Sequence, residues 1–187
     1  MELQKNIKNT FLLFGLLLPY LLKAQTNYST GTAKIGFFSS TPIEDIKAVS
    51  NKGVAVLVSK TGEIAFQVPI KSFQFERGLM QEHFNDNYME SDKYPVARFK
   101  GKINKDLDFN KNGEYNVSAM GNLSMHGVDK PRTINGKVIV KDGKVQLLSN
   151  FKVACADHNI KIPKLVMTKI AEVINVNIDA TLNPITK

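Results

Sequence analysis

The sequence predicts an all-β domain, a closed antiparallel barrel of about eight strands with one short helical insert. Three observations predict it. Apolar side chains recur at every second position along most of the chain, which is the period of a half-buried strand. Asn112-Gly113 marks a turn and Asp142-Gly143 a hairpin between such runs. No strand–helix–strand rhythm of the kind that builds a parallel sheet interrupts them. A β-sandwich is the alternative. Closure is favoured because the polar phase of the strands is charged throughout, leaving one apolar face. Eight strands enclose an interior that side chains fill or that holds one small ligand.

The N-terminus reads as a targeting segment. Lys5 and Lys8 make a basic start, Phe11 to Leu22 is an apolar run of 12 residues, and Ala24 offers a small residue before a cut at Ala24/Gln25. The run is short for a bilayer span, and the pattern is that of a secretory signal peptide. Residues 1–24 are therefore set aside, and residues 25–187 are read as a single domain of 163 residues (187 minus 24), ample for one core and short for two. The expected location is periplasmic or secreted.

The strands follow in order. Ile35, Phe37 and Ser39 alternate with Lys34, Gly36 and Phe38 in an imperfect first strand, and Val54, Val56 and Val58 form a β-branched run up to a turn at Thr61-Gly62. The cleanest alternation places Ile64, Phe66, Val68 and Ile70 opposite Glu63, Ala65, Gln67 and Lys71. Pro69 cannot donate to a ladder, so it marks an edge, a bulge or a bend. Leu79 to Met89 is the helical candidate, with Met80 and Phe84 near helical spacing. Pro95 opens a strand with Ala97, Phe99, Gly101 and Ile103 on one phase. Tyr115, Val117, Ala119, Gly121, Leu123 and Met125 share a phase in the next, which ends in a turn at His126-Gly127. Ile134, Gly136, Val138 and Val140 lead to Asp142-Gly143, and Val145, Leu147, Ser149, Phe151 and Val153 descend from it. After an irregular stretch from Ala156 to Lys169, a last strand carries Ile174, Val176, Ile178, Ala180 and Leu182.

Register makes the inward set a sharp expectation, because a one-residue slip would bury Lys and Glu. Ile35, Phe37, Ile64, Phe66, Val68, Phe99, Leu123, Val138, Phe151, Val176 and Ile178 are expected to point inward. Ala119 is the small residue among them, and Phe84 faces one end from the helix. The small inward residues, Ala97, Gly101, Ala119, Gly121, Gly136, Ser149 and Ala180, either leave room for a ligand or relieve crowding and permit sharp coiling.

Charge and chemistry narrow the classes. Removing Lys5, Lys8, Lys23 and Glu2 takes the formal net charge from +8 to +6. The remaining lysines are scattered rather than clustered on one face, which argues against nucleic-acid binding. The balance is compatible with transient contact with an anionic membrane surface. Cys155 is alone, so no internal disulfide forms, and a buried apolar role suits it. His83, His126 and His158 lack metal-ligand spacing, no Gly-x-Ser-x-Gly elbow or Gly-rich phosphate loop is present, and Asp157-His158 point oppositely on an extended chain. No catalytic residue, metal site or cofactor is assigned, and no enzyme is expected.

Two stretches carry a family resemblance. Met80 through Phe99 contains a short helix, an aromatic stretch and Tyr94-Pro95-Val96-Ala97-Arg98-Phe99. Gly121-Asn122-Leu123-Ser124-Met125-His126-Gly127-Val128, followed by Pro131, resembles the turn Gly-x-Leu-Thr-x-His-Gly-Val-Thr-x-Pro. Together they resemble the YceI-like, polyisoprenoid-binding family from about Thr30 to Leu182. The resemblance implies an elongated lipocalin-like barrel holding an isoprenoid or similar amphiphile in its lumen, with the inward residues above as its wall. Two places depart. Ala156-Asp157-His158-Asn159-Ile160 stands where the family often shows Asp-Arg-Ser-x-Phe-Gly, and Thr41 to Asn51 lacks its early His-containing loop. A stress-related or structural partner protein with a filled barrel is the alternative function.

Overall fold

The computed structural model describes residues 26–164 and 168–185. The expected signal peptide lies outside them. Nine strands form one antiparallel sheet: β1 (Tyr28–Ser40), β2 (Asp45–Val58), β3 (Glu63–Pro69), β4 (Gln74–Phe75), β5 (Val96–Ile103), β6 (Gly113–Met125), β7 (Val128–Lys141), β8 (Lys144–Ala154) and β9 (Val173–Pro184). The order β1-β9-β8-β7-β6-β5-β3-β2 closes on itself through the β1–β2 pairing. The result is a closed barrel of eight strands, with the two-residue β4 added beside the first half of β2. Helix α1 (Gly78–His83) continues as a wider π-type turn over Phe84–Tyr88.

Local chemistry explains the joins. His126 (φ 51°) with Gly127 (φ 72°), and Asp142 (φ 50°) with Gly143 (φ 74°), place two left-handed residues in each two-residue turn of the β6–β7 and β7–β8 hairpins. This is the turn geometry that matches the twist of the flanking strands. Pro69 ends β3: Ile70 begins a tight 3-10 turn, and its N–H donates to the Pro95 carbonyl at 2.9 Å. The proline therefore marks a bend, after which β4 takes up the place beside β2 that β3 has left.

The register fixes which face is inside. Phe66 pairs with Phe99, Phe99 with Leu123, and Ser149 with Ile178. Lys100 and Lys102 are exposed while Phe99 and Ile103 are buried, so the inward phase of β5 is the expected one. In β2 the inward phase is not that of the β-branched run. Ala55 and Leu57 are wholly buried, whereas Val54 of the β-branched run is 44% exposed. Leu79 to Met89 forms helix and π-turn rather than one regular helix. Asp45–Asn51, where the sequence departs from the family's early loop, belongs to β2, and the stretch read as irregular from Ala156 opens within a 3-10 turn over Cys155–His158.

The two ends of the barrel differ. At the base, where β5 runs into β6, Phe109 packs on Tyr28 with ring centroids 5.8 Å apart. Leu57, Val140, Val145 and Leu182, all buried to 2% or less, complete the plug. The other end carries the β1–β2 and β6–β7 turns, α1 and the segment after β8.

Candidate ligand-binding site

An apolar cavity occupies the upper barrel, with about 160 Å³ in which the centre of a water-sized group can lie. The base residues Tyr28, Leu57, Val140, Val145 and Leu182 are not part of its wall, so the space is closed below by the plug. β1 contributes Ile35 and Phe37, and β3 contributes Ile64, Phe66 and Val68. Phe99 comes from β5, Ala119 and Leu123 from β6, and Val138 from β7. Phe151 of β8 and Val176 and Ile178 of β9 close the circle, and Phe84 of the π-turn reaches in from the upper end. All the residues expected from the sequence to line a lumen thus meet at one cavity. Phe37 and Phe84 stack there at 5.3 Å, and Phe73 and Phe75 pack on Phe84 at 5.8 and 5.1 Å. These four rings form a collar across the upper end of the lumen.

Beyond the collar lies a second space of about 340 Å³, whose wall shares Phe37, Phe84, Met89, Ile160 and Ile174 with the lumen. Its other walls are mixed. Leu79, Met80, Ile162 and Ile170 are apolar, while Arg77, Glu44, His83, Tyr88 and Lys169 are polar. Arg77 is paired with Glu44. Burial raises the pKa of the Tyr88 phenol, which stays neutral and free to hydrogen-bond. Leu79, on α1, and Ile43, at the β1–β2 turn, are each 63% exposed.

His126 and His158 serve structure around this rim. His126 donates from Nδ1 to the His158 carbonyl at 2.9 Å, its Nε2 lies 3.0 Å from a Glu90 carboxylate oxygen, and the Tyr94 ring sits edge-on at 4.6 Å. The segment after α1 is thereby tied to the β6–β7 turn. His158 is fully buried, donates from Nδ1 to the Val128 carbonyl at 3.2 Å, and is held below the ordinary histidine pKa by loss of water. His83 is exposed at the outer space. Cys155 is buried, and burial pushes its thiol up, away from the reactive thiolate. Among the described residues no group of three or more His, Cys, Asp or Glu could hold a metal ion.

Sequence reasoning missed Phe73, Phe75, Met89 and Ile160, which line the lumen or build the collar. They lie in connecting segments or in the two-residue β4, where no alternation assigns a side to a residue. The run of aromatics Phe73, Phe75 and Phe84 around the insert was the available signal.

An eight-stranded antiparallel barrel with a plugged base and an apolar upper lumen is the architecture of a small-ligand container. A family model for the YceI-like domain matches residues 25–182, and the chain belongs to that family. Its fold is similar to a polyisoprenoid-binding domain from Saccharophagus degradans (TM-score 0.72, 14% identity, covering 85% of this chain and 98% of that one). It is also similar to BcnA of Burkholderia cenocepacia (TM-score 0.68, 12% identity, 80% and 95% covered) and to the YceI protein of Campylobacter jejuni (TM-score 0.58, 18% identity, 75% and 85% covered). No curated protein matches the sequence significantly.

Proposed function

We propose that the protein is an exported, non-enzymatic carrier that sequesters an isoprenoid or similar amphiphile in the barrel lumen. The observation that carries this reading is the apolar lumen itself, closed at the base and bordered above, beyond the collar, by a mixed polar rim. A cavity of about 150 Å³ holds a benzene-sized group, so the lumen as it stands seats roughly six carbons of an apolar chain. At ~0.8 kcal/mol per carbon this gives about 5 kcal/mol gross, before the costs of ordering the chain. Holding the ligand needs no covalent change, and among the described residues of the lumen wall no nucleophile is paired with a base. Family membership and the isoprenoid-binding description of the Saccharophagus domain support the ligand class. The short apolar N-terminal run with its basic start supports export to the periplasm or beyond.

Native mass spectrometry of the protein purified from its own host tests the reading. A retained adduct of isoprenoid mass, released on denaturation, is the expected result. A bare protein that also takes up nothing from a panel of prenols and prenyl phosphates would refute it, and the filled-barrel partner protein would then lead.

A further inference from the structure

The barrel wall has a gap. The β7–β8 ladder runs from Lys141↔Lys144 to Gly136↔Ser149 and stops there. Both strands continue: β7 from Asn135 back to Val128 stays paired with β6, and β8 from Asn150 to Ala154 stays paired with β9. Extended in register, Thr133 would face Lys152, but no such rung forms, so the strands diverge toward the rim. The gap is bounded at both ends. Below, the Ser149 hydroxyl donates to the Asn135 carbonyl at 2.7 Å. Above, the turn after β8 folds back on β7 through His158 and the Val128 carbonyl.

One side chain spans the opening. Arg132 donates from Nη2 to the Lys152 carbonyl at 2.6 Å, and its Nη1 lies 3.8 Å from an Asp157 carboxylate oxygen. Directly behind are Ile134, Phe151 and Val153, all part of the lumen wall. The axial way out is obstructed by contrast. Leaving past the collar requires separating Phe37, Phe73, Phe75 and Phe84, whose rings contact one another in five pairs. Leaving sideways breaks no backbone rung and requires moving Arg132, whose side chain is already 23% exposed, together with the Ile134, Phe151 and Val153 side chains behind it.

We propose that the gap between β7 and β8 is a lateral portal, through which an apolar chain slides between the lumen and the outside, with Arg132 as its bar. The inference rests on the carrier reading and adds a route to it. The guanidinium is held by the Lys152 carbonyl and Asp157 and is not part of the lumen wall, so it controls rates and leaves the depth of the binding well alone. A lateral portal also lets a long chain enter by one segment at a time while the collar stays packed.

Stopped-flow displacement of N-phenyl-1-naphthylamine by geranylgeraniol tests it, using the mature chain. Arg132→Ala should raise association and dissociation rates together by about tenfold, the rate equivalent of one lost charge-assisted hydrogen bond, with Kd held within about twofold. Thr133→Cys with Lys152→Cys, made on Cys155→Ala and bridged by a short bifunctional thiol reagent, should slow both rates by at least about tenfold relative to the unbridged protein. Faster exchange in Arg132→Ala with no slowing on bridging would indicate general loosening and overturn the portal. Unchanged rates in both, with binding retained, would overturn it in favour of the axial route. A wild-type protein that takes up neither probe overturns the carrier reading, and the portal falls with it.

Discussion

Replacing Ala119 by leucine narrows the lumen without placing charge in it. Ala119 lies on β6, opposite Ile103 of β5 and Ile134 of β7, is 9% exposed, and contributes to the cavity wall. Leucine adds three carbons, and their volume comes out of the room for about three of the roughly six carbons the lumen seats. At ~0.8 kcal/mol each, the ligand loses about 2.4 kcal/mol of gross burial, which is about fiftyfold in Kd. The apo protein should not lose stability comparably, because the added carbons enter space that is already open. Where packing is tighter than that, overpacking costs about 1–3 kcal/mol and shows as a lower thermal midpoint. The assay is therefore a displacement titration with geranylgeraniol, run beside thermal unfolding of the ligand-free protein. Weaker binding at a matched midpoint is the expected pair of results. Equal affinity at a matched midpoint would refute the reasoning, since the ligand would then lie elsewhere than against β6.

Three further predictions follow from other parts of the molecule. Phe66→Glu puts an unpaired carboxylate into the lumen and should abolish retention of lipid together with a loss of stability, read by native mass spectrometry and thermal melts. Peptide mapping of exported protein should find a new N-terminus at or near Gln25, whereas intact Met1 on a membrane-bound species would count against a cleaved signal. The pKa of His158 is lowered in the fold from the usual value of 6.5, so between those two values the unfolded chain binds the extra proton. Its contribution to stability is complete above about pH 6.5 and declines as pH falls below it. Urea unfolding between pH 7.5 and 5 should show that decline in the wild type and a flatter profile in His158→Gln. Equal slopes would remove His158 from the account.

The strand pattern was legible because a barrel wall imposes one simple rule, apolar in and polar out, at every rung. Ile64, Phe66 and Val68 obey it beside Glu63 and Gln67, and the register could not shift without burying charge. The rule weakened where both faces carry apolar residues. In β2, Val54 and Val56 looked as good as Ala55 and Leu57, and only the pairing with β1 and β3 decides that Ala55 and Leu57 point in. The rim was hardly legible at all. Phe73, Phe75, Met89 and Ile160 reach the lumen or collar from a 3-10 turn, a two-residue strand and connecting segments, where side-chain direction depends on tertiary contacts. The divergence of β7 from β8 leaves no mark in either strand's alternation, since Ile134 and Phe151 keep their inward phase on both sides of the gap.

The small inward residues admitted two readings, room for a ligand or relief of crowding, and the geometry separates them. A Cβ on Gly121 would overlap the Lys100 carbonyl oxygen and lie 2.5 Å from the Gly101 Cα. A Cβ on Gly101 would meet the Met120 carbonyl oxygen at 2.6 Å and the Phe99 ring at 2.8 Å. These two glycines face each other across the β5–β6 ladder, and they let the strands close in while the Phe99 ring lies over the bare backbone. They serve the coiling of the wall, and the lumen owes its room instead to positions such as Ala119 and to the stop of the plug below it. Gly121→Ala should therefore cost about 3 kcal/mol of stability, because its obstacles are backbone atoms that cannot swing aside. Gly31, with no atom within 4 Å of an added Cβ, is the control: Gly31→Ala should be neutral or stabilise by about 0.4–1 kcal/mol through the unfolded chain. Urea midpoints of the two variants decide it, and a Gly121→Ala protein as stable as wild type would return the glycine pair to the ligand's side of the account.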